Sequence, residues 1–205
     1  MALTRRDFVA AAAAVAIGYA RPREVRAMVD GHELRPVVGV GDSWWQLSHP
    51  YIEAATGQTI EPPENTGGTT TKYWLARRWE IKDRIGSGNT IYLSVGGVDE
   101  LFWEVDGYAR GSEWHPHRVA KRVRRLARAL VGDSENVVLH ARYATAANGY
   151  IPNRYAAYIS PTFLGDYYRD VGFPGVRVRF FDNDPLHLEL DGYRRRINSI
   201  KWPTV

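Results

Sequence analysis

Two short clusters in this chain of 205 residues hold residue types that can work together on an acyl group. Gly41-Asp42-Ser43 follows the apolar run Pro36-Val37-Val38-Gly39-Val40, and Asp184-Pro185-Leu186-His187 lies near the other end. A serine hydroxyl is a poor nucleophile until an imidazole takes its proton, and the imidazole serves better when a carboxylate holds its second nitrogen. Ser43, His187 and Asp184 would supply those three groups. Neither cluster is specific alone. Six histidines let an Asp-x-x-His arise readily by chance, and Gly-Asp-Ser occurs twice. The second copy, Gly132-Asp133-Ser134, ends a helical pattern and precedes Asn136-Val137-Val138-Leu139, where a strand would begin. Open α/β sheets bind ligands beyond the carboxyl ends of their strands. Ser43 stands at that end and Ser134 at the opposite one, so Ser134 is read as turn chemistry.

The elements that must position these groups follow from periodicity. Strand-like runs cover Pro36 to Val40, Thr90 to Val95, Asn136 to Ala141 and Val176 to Phe181, with a short additional candidate at Gln58 to Ile60. Helical spacing covers Tyr73 to Ile85, Arg118 to Val131, the aromatic-rich Tyr155 to Val171 (interrupted by Pro161) and Leu186 to Ile200. Parallel strands need crossover connections, so strands alternating with helices predict a three-layer α/β/α sandwich with a mainly parallel central sheet. Two glycine-bearing loops, residues 62–71 with Gly67-Gly68 and residues 95–100 with Gly96-Gly97, would leave the sheet at the same end as Ser43. A glycine-rich turn ahead of a helix presents backbone N–H groups, which suits a developing oxyanion.

Four features therefore fall in one order: Gly41-Asp42-Ser43 after the first strand, Gly68 before a threonine-rich helix start, Gly96-Gly97-Val98-Asp99 after a strand, and Asp184-Pro185-Leu186-His187 opening the last helix. In these blocks the chain resembles the SGNH (GDSL-type) hydrolase family, over about residues 36 to 200. The resemblance implies a flavodoxin-like fold, Ser43 as nucleophile, His187 as general base and Asp184 as the group that orients the imidazole. It also implies the Ser43 and Gly68 N–H groups as oxyanion donors. An i, i+3 spacing at a turn entering a helix would put Asp184 and His187 on one side. The third block departs from the family pattern, which has asparagine where this chain has Val98. A valine donates no hydrogen bond, and losing one oxyanion donor costs about 10² to 10³ in turnover. Three explanations stay open: a slower hydrolase with two donors, a substitute donor such as Asn65 or a water, or a binding protein that keeps the fold.

Length and an apolar content of 44% suit one domain, residues 28–205. Thr4-Arg5-Arg6-Asp7-Phe8, an alanine run and small residues at Ala20 and Ala27 read as a twin-arginine export signal over residues 1–27, cleaved after one of those alanines. Its apolar run is too short to span a bilayer comfortably, so the expectation is an exported, periplasmic or extracellular bacterial protein with no stable membrane span in the mature form. The leader holds five arginines against Asp7 and Glu24, which leaves the domain near +1 of the chain's +4. That balance, with no aromatic-basic stacking pattern in the sequence, gives no reason to expect nucleic acid. The cationic face of Arg118 to Leu130 reads as a solvated helix surface, with attachment to an anionic surface as the alternative. Zero cysteine excludes disulfides and thiolate metal sites. His115-Pro116-His117 lacks a completing carboxylate pattern, so no metal is expected. No nucleotide cofactor is implied, because the glycine loops lack a phosphate-binding lysine and dinucleotide spacing. Trp44 and Trp45, among seven tryptophans, would line an acyl pocket or stack on sugar, with at least one of them in the core. The expected partners are a small ester or acylated carbohydrate and the twin-arginine export machinery. The competing class is a non-catalytic carbohydrate-binding or envelope module using the same cleft; a peptidase is a more distant reading.

Overall fold

The computed structural model describes residues 28–29, 31–61, 67–132, 134–141, 158, 167–171, 180–181 and 184–205. The elements in order are β1 (Met28–Val29), β2 (His32–Glu33), β3 (Val37–Gly41), α1 (Ser43–Thr56), α2 (Thr71–Ala76), α3 (Arg78–Ile85), β4 (Thr90–Ser94), α4 (Gly97–Val105), α5 (Pro116–Val131), β5 (Val137–His140), β6 (Tyr168–Asp170), β7 (Phe180–Phe181), β8 (Asp184–Leu188) and α6 (Leu190–Asn198). The central sheet has four strands in the order β3-β4-β5-β6. All three pairings are parallel, with Gly41 opposite Ser94, Leu93 opposite His140, and His140 opposite Asp170. Helices cover both faces, so the fold is the α/β sandwich of flavodoxin-like type that the sequence implies. The hairpins β1-β2 and β7-β8 are antiparallel and lie outside this sheet.

The layers follow from side-chain alternation along each strand. Val40, Ile91, Leu93 and Val138 point to one face, where they pack with Trp74 of α2, Ile81 and Ile85 of α3, and Val119, Val123, Leu126 and Leu130 of α5. Val37, Tyr92 and Leu139 point to the other, against Trp45 and Ile52 of α1 and Ile197 of α6. Burial on both faces explains why β4 reads as an unbroken buried run. The chain's end is pinned beside its start: Arg35 donates its N–H to the Pro203 carbonyl at 3.2 Å and Val205 to the Glu33 carbonyl at 2.8 Å.

Two glycines in β3 set how closely α1 can approach. A Cβ at Gly39 would stand 1.9 Å from Cζ2 of Trp45, and one at Gly41 would stand 2.4 Å from the Ser94 carbonyl oxygen. The indole therefore lies directly on the strand, with the first turn of α1 held beneath the sheet's carboxyl end.

Four expectations are corrected. Gln58 to Ile60 forms no strand: Gln58 turns its side chain to the Val37 N–H and the Arg35 carbonyl, and Ile60 joins the core beside α1. The helix expected over Tyr73 to Ile85 is two helices meeting at Arg77, whose φ of −96° and ψ of 9° leave the helical basin. Residues 168–170 of the expected aromatic-rich helix form β6, paired to β5, and the rest of that segment apart from Tyr158, Tyr167 and Val171 lies outside the described residues. Asp184-Pro185-Leu186-His187 belongs to β8 and the last helix begins at Leu190; proline brings no N–H to a helical ladder, and the segment pairs with β7 instead. The leader 1–27, the loop 62–66 with Asn65, and residues 176–179 also lie outside the described residues. Among the described residues no helix is long and apolar enough to cross a membrane.

The Gly39 contact yields a direct test. Gly39→Ala must displace either the strand or the Trp45 ring, and overpacking of this kind costs about 1–3 kcal/mol. Urea unfolding is expected to show that loss at unchanged m-value; a variant as stable as the parent would contradict the close packing of Trp45 on β3.

Candidate active site

Ser43 is the first residue of α1, immediately beyond the carboxyl end of β3. The turn that presents it is fixed from three sides. Asp42 donates its N–H to the Ser94 carbonyl at 3.1 Å, its own carbonyl accepts from Trp45 N–H at 3.0 Å, and its Oδ1 accepts from Trp44 N–H at 3.0 Å. Asp42 is thus the N-cap of α1, and an N-cap side chain satisfies a helix donor that has no carbonyl partner. Ser43 is half-buried while Asp42, Trp44 and Trp45 are buried, so Ser43 is the residue of this turn that reaches the surface.

His187 approaches from β8. Its Nε2 and the Ser43 Oγ are 2.8 Å apart, the distance a proton transfer between them requires. The local backbone explains how the imidazole gets there. Phe181 pairs with Asp184 but Phe180 pairs with Leu188, which leaves Pro185, Leu186 and His187 without opposite residues on β7. Such a bulge breaks the alternation of a regular strand and re-aims a side chain. Leu188, the next residue, is fully buried against Trp44 and Tyr193, and the Trp44 and Tyr193 rings meet edge to face at 5.4 Å. The chain neighbours of Ser43 and His187 therefore share one apolar cluster. The backbone of Asp184 lies at the head of β8, three residues before His187, and its side chain lies outside the described residues.

Gly68 sits in the turn leading to α2 with φ of +76°, a conformation that suits glycine. The threonines after it each have a task. Thr69 Oγ1 accepts from Trp74 Nε1 at 3.0 Å, Thr70 Oγ1 caps the Tyr73 N–H at 3.3 Å, and Thr71 donates its N–H to Asp99 Oδ2 at 2.8 Å. Thr71 Oγ1 also donates to Asp99 Oδ1, while Arg122 donates from Nε to Thr71 Oγ1 at 2.6 Å and from Nη2 to Asp99 Oδ1 at 3.0 Å. This buried triangle ties the loop bearing Gly68 to the residue after Val98 and to α5. The sequence identified Asp99 as part of a block and Arg122 as a surface cation, but the clamp they form with Thr71 was not read from it. The threonine run was the available signal. Val98 is itself 4% exposed and packed away from solvent.

Electrostatically the site rests on two buried carboxylates. Burial raises the Asp42 pKa to about 7; the Trp44 N–H opposes this, nearby Asp99 adds to it, and Arg196 lowers it. Asp42 Oδ2 is buried with no hydrogen-bond partner among the described residues, which accords with that cost. Burial also raises Asp99, against the bonds from Thr71 and the charge of Arg122. Trp44 and Trp45 are both core, one under the Arg196 guanidinium at 5.1 Å and the other on β3. Neither forms a substrate wall. Ser134 closes a turn by donating to the Val131 carbonyl at the amino end of β5. His115 caps α5, its Nδ1 accepting from His117 N–H at 3.3 Å.

No protein-family model matches this chain, and no curated protein does. Among solved structures it is similar to the crystal structure of the YxiM protein from Bacillus subtilis, with a TM-score of 0.53 and 17% sequence identity. The match covers 80% of this chain and 54% of that one, so this chain spans about half the length of the protein it matches. At that identity the likeness concerns the fold.

The carboxylate beneath the serine makes stability depend on pH. Because the folded pKa of Asp42 is raised, the folded state keeps a proton that the unfolded chain has lost, and stability falls as pH rises from about 4 to about 7. Above that window the penalty is fully present, about 4 kcal/mol at 1.36 kcal/mol per unit. Asp42→Asn keeps an acceptor for Trp44 and removes the charge. Its melting temperature is expected to gain on the parent between pH 5 and pH 8; a pH-independent difference would sink the assignment.

Proposed function

We propose that this chain is a serine esterase of the SGNH (GDSL) type that cleaves small acyl or O-acetyl carboxylic esters through an acyl-enzyme. The observation that carries the reading is the 2.8 Å contact between His187 Nε2 and Ser43 Oγ at the carboxyl end of the parallel sheet. His187 takes the Ser43 proton as Oγ attacks the ester carbonyl, and the C–O bond to the alcohol breaks as the imidazolium returns that proton to the leaving oxygen. Water, deprotonated by the same imidazole, then attacks the acyl carbon and frees Ser43. Asp184 is assigned to hold the second ring nitrogen of His187. The Ser43 and Gly68 N–H groups are assigned to the developing oxyanion, with Asp99, Thr71 and Arg122 fixing the loop that carries Gly68.

The leader-like residues 1–27 support an exported, periplasmic or extracellular enzyme. One observation favours a second reading. Val98 stands where the family has its asparagine, and a hole left with two backbone donors suits a slow enzyme or a fold kept for binding an acylated carbohydrate.

Two variants test the pair of readings. With p-nitrophenyl acetate, the parent is expected to show a burst followed by steady turnover, and Ser43→Ala is expected to show neither. Equal background in both would reject the esterase and leave the binding role. Val98→Asn, if folded, is expected to raise kcat toward the 10² to 10³ that one donor contributes; unchanged turnover would mean that another group already fills that position.

A further inference from the structure

A connected ribbon of five rings lies where α4 ends and α5 begins. Trp103 meets Tyr108 at a centroid distance of 5.1 Å and His115 at 5.4 Å; Tyr158 meets His115 at 6.3 Å and stacks on His117 at 5.5 Å with 11° between planes. Despite these contacts Tyr108 is 43% exposed and Tyr158 is 46% exposed. Rings that hold one another offer a rigid surface with little rotamer entropy left to lose on binding. Tyr108 is also the residue other than glycine with positive φ, +58°, among the described residues. Side chains other than glycine rarely adopt that left-handed conformation, and such strain is found where a surface has a task. It is held by Tyr108 N–H bonded to the Trp103 carbonyl and by Trp103 Nε1 bonded to the Ala109 carbonyl, both at 3.0 Å.

Next to the ribbon, α5 carries no carboxylate from Pro116 to Val131. Arg122 is engaged with Asp99 and Arg124 with the Tyr158 carbonyl, but Arg118, Lys121 and Arg125 have no partner among the described residues. Their spacing, i, i+3 and i+7, puts the three on one solvent stripe, separated by about 4.5 and 6 Å along the axis. The stripe starts beside His117. Since α5 leads into β5, and β5 runs parallel to β3, the amino end of α5 stands at the carboxyl end of the strands, the rim that also bears Ser43.

We propose that this ribbon and stripe form a docking surface for an anionic polysaccharide, with pyranose rings on the aromatic side chains and carboxylates on Arg118, Lys121 and Arg125. The choice of a polymer that carries acyl groups, and the assignment of those groups as substrate, rest on the esterase reading above; the surface itself rests on the rings and the cations. Pyranose rings offer apolar C–H faces to the aromatics and hydroxyls to the imidazoles and phenols, and acidic sugars supply the charge the stripe demands. A nucleic acid strand offers charge and flat bases but no carboxylic ester for the neighbouring serine. A membrane surface would call for protruding aliphatic side chains, whereas the exposed side chains of the ribbon are the phenols of Tyr108 and Tyr158 and the imidazole of His117.

The test is binding of the Ser43→Ala protein to O-acetylated polygalacturonate, to neutral acetylated xylan and to a single-stranded oligonucleotide, by titration calorimetry at two salt concentrations. The expected result is preference for polygalacturonate, weakened by salt, with Kd raised at least tenfold by Trp103→Ala with Tyr158→Ala and separately by Arg118→Ala with Lys121→Ala and Arg125→Ala. Each set of substitutions placed on the Ser43 protein is expected to leave p-nitrophenyl acetate turnover unchanged, which also shows that the variants fold. Undiminished binding in either set, or equal binding of the oligonucleotide or xylan, would overturn the proposal. Absence of p-nitrophenyl acetate turnover in the parent, with the expected binding pattern retained, would reject the esterase reading while supporting the surface.

Discussion

The contact between Ser43 and His187 joins residues 144 positions apart, and a hydrogen bond alone cannot hold it. Closing a loop of that length costs about 4 kcal/mol in chain entropy, while one intramolecular hydrogen bond contributes about 1 kcal/mol net. What closes it is the apolar cluster formed one residue further along the chain from each: Trp44 after the serine, Leu188 after the histidine, and Tyr193 of α6 packed with both. Each such side chain contributes about 1.5–3 kcal/mol on burial. The pair that would do chemistry is thus the exposed edge of a packing unit, and α6 belongs to the site although it supplies no reacting group.

The same logic governs the other side of the serine. Gly39 and Gly41 let Trp45 lie on β3, which seats the first turn of α1 against the sheet and leaves Asp42 buried as its cap. That burial is unfavourable for a carboxylate, and the structure tolerates it because the cap orders three backbone groups around Ser43. Asp99 repeats the pattern under the second loop, where Thr71 and Arg122 meet its charge. Both loops at the carboxyl end of the sheet are therefore held from below by a buried acid.

Much of this was legible in the chain. β3, β4 and β5 fall within about a residue of their apolar runs, since strands buried on both faces read as continuous apolar stretches, and α5 declares itself by its apolar stripe. Ser43 and His187 were legible as types in a known order. Elements whose identity is decided by tertiary pairing were not legible. Tyr168–Asp170 has three residues, too few for a period, and becomes a strand because β5 offers an open edge. Residues 95–100 read as a loop from their glycine pair, yet Gly96 at φ of +103° caps a helix that begins at Gly97. Asp184-Pro185-Leu186-His187 reads as the opening of the last helix, and hairpin pairing with β7 overrides it. The aromatic ribbon was invisible because its rings come from three separate segments, so the sequence showed no aromatic-basic pattern where the fold assembles one.

Val98 is the place where the local evidence pulls against the rest of the site, and the geometry bears on which side prevails. A fold retained only for binding would gain stability by relaxing the costly groups beneath the serine, since a buried unpaired carboxylate oxygen is a penalty with no packing return. Instead Asp42 keeps its cap, the bulge in β8 keeps the imidazole on the hydroxyl, and the Thr71, Asp99 and Arg122 triangle keeps the Gly68 loop tied to the residue beside Val98. Those features hold the Ser43 hydroxyl and the His187 imidazole together, which a ligand surface does not need. On the proposed reading the valine would remove a donor from the oxyanion side and leave the proton-transfer side intact, so the loss would fall on rate and not on the order of steps. These features support the proposed reading of a slow esterase, for which the proposed docking surface on the same rim would prolong contact with substrate.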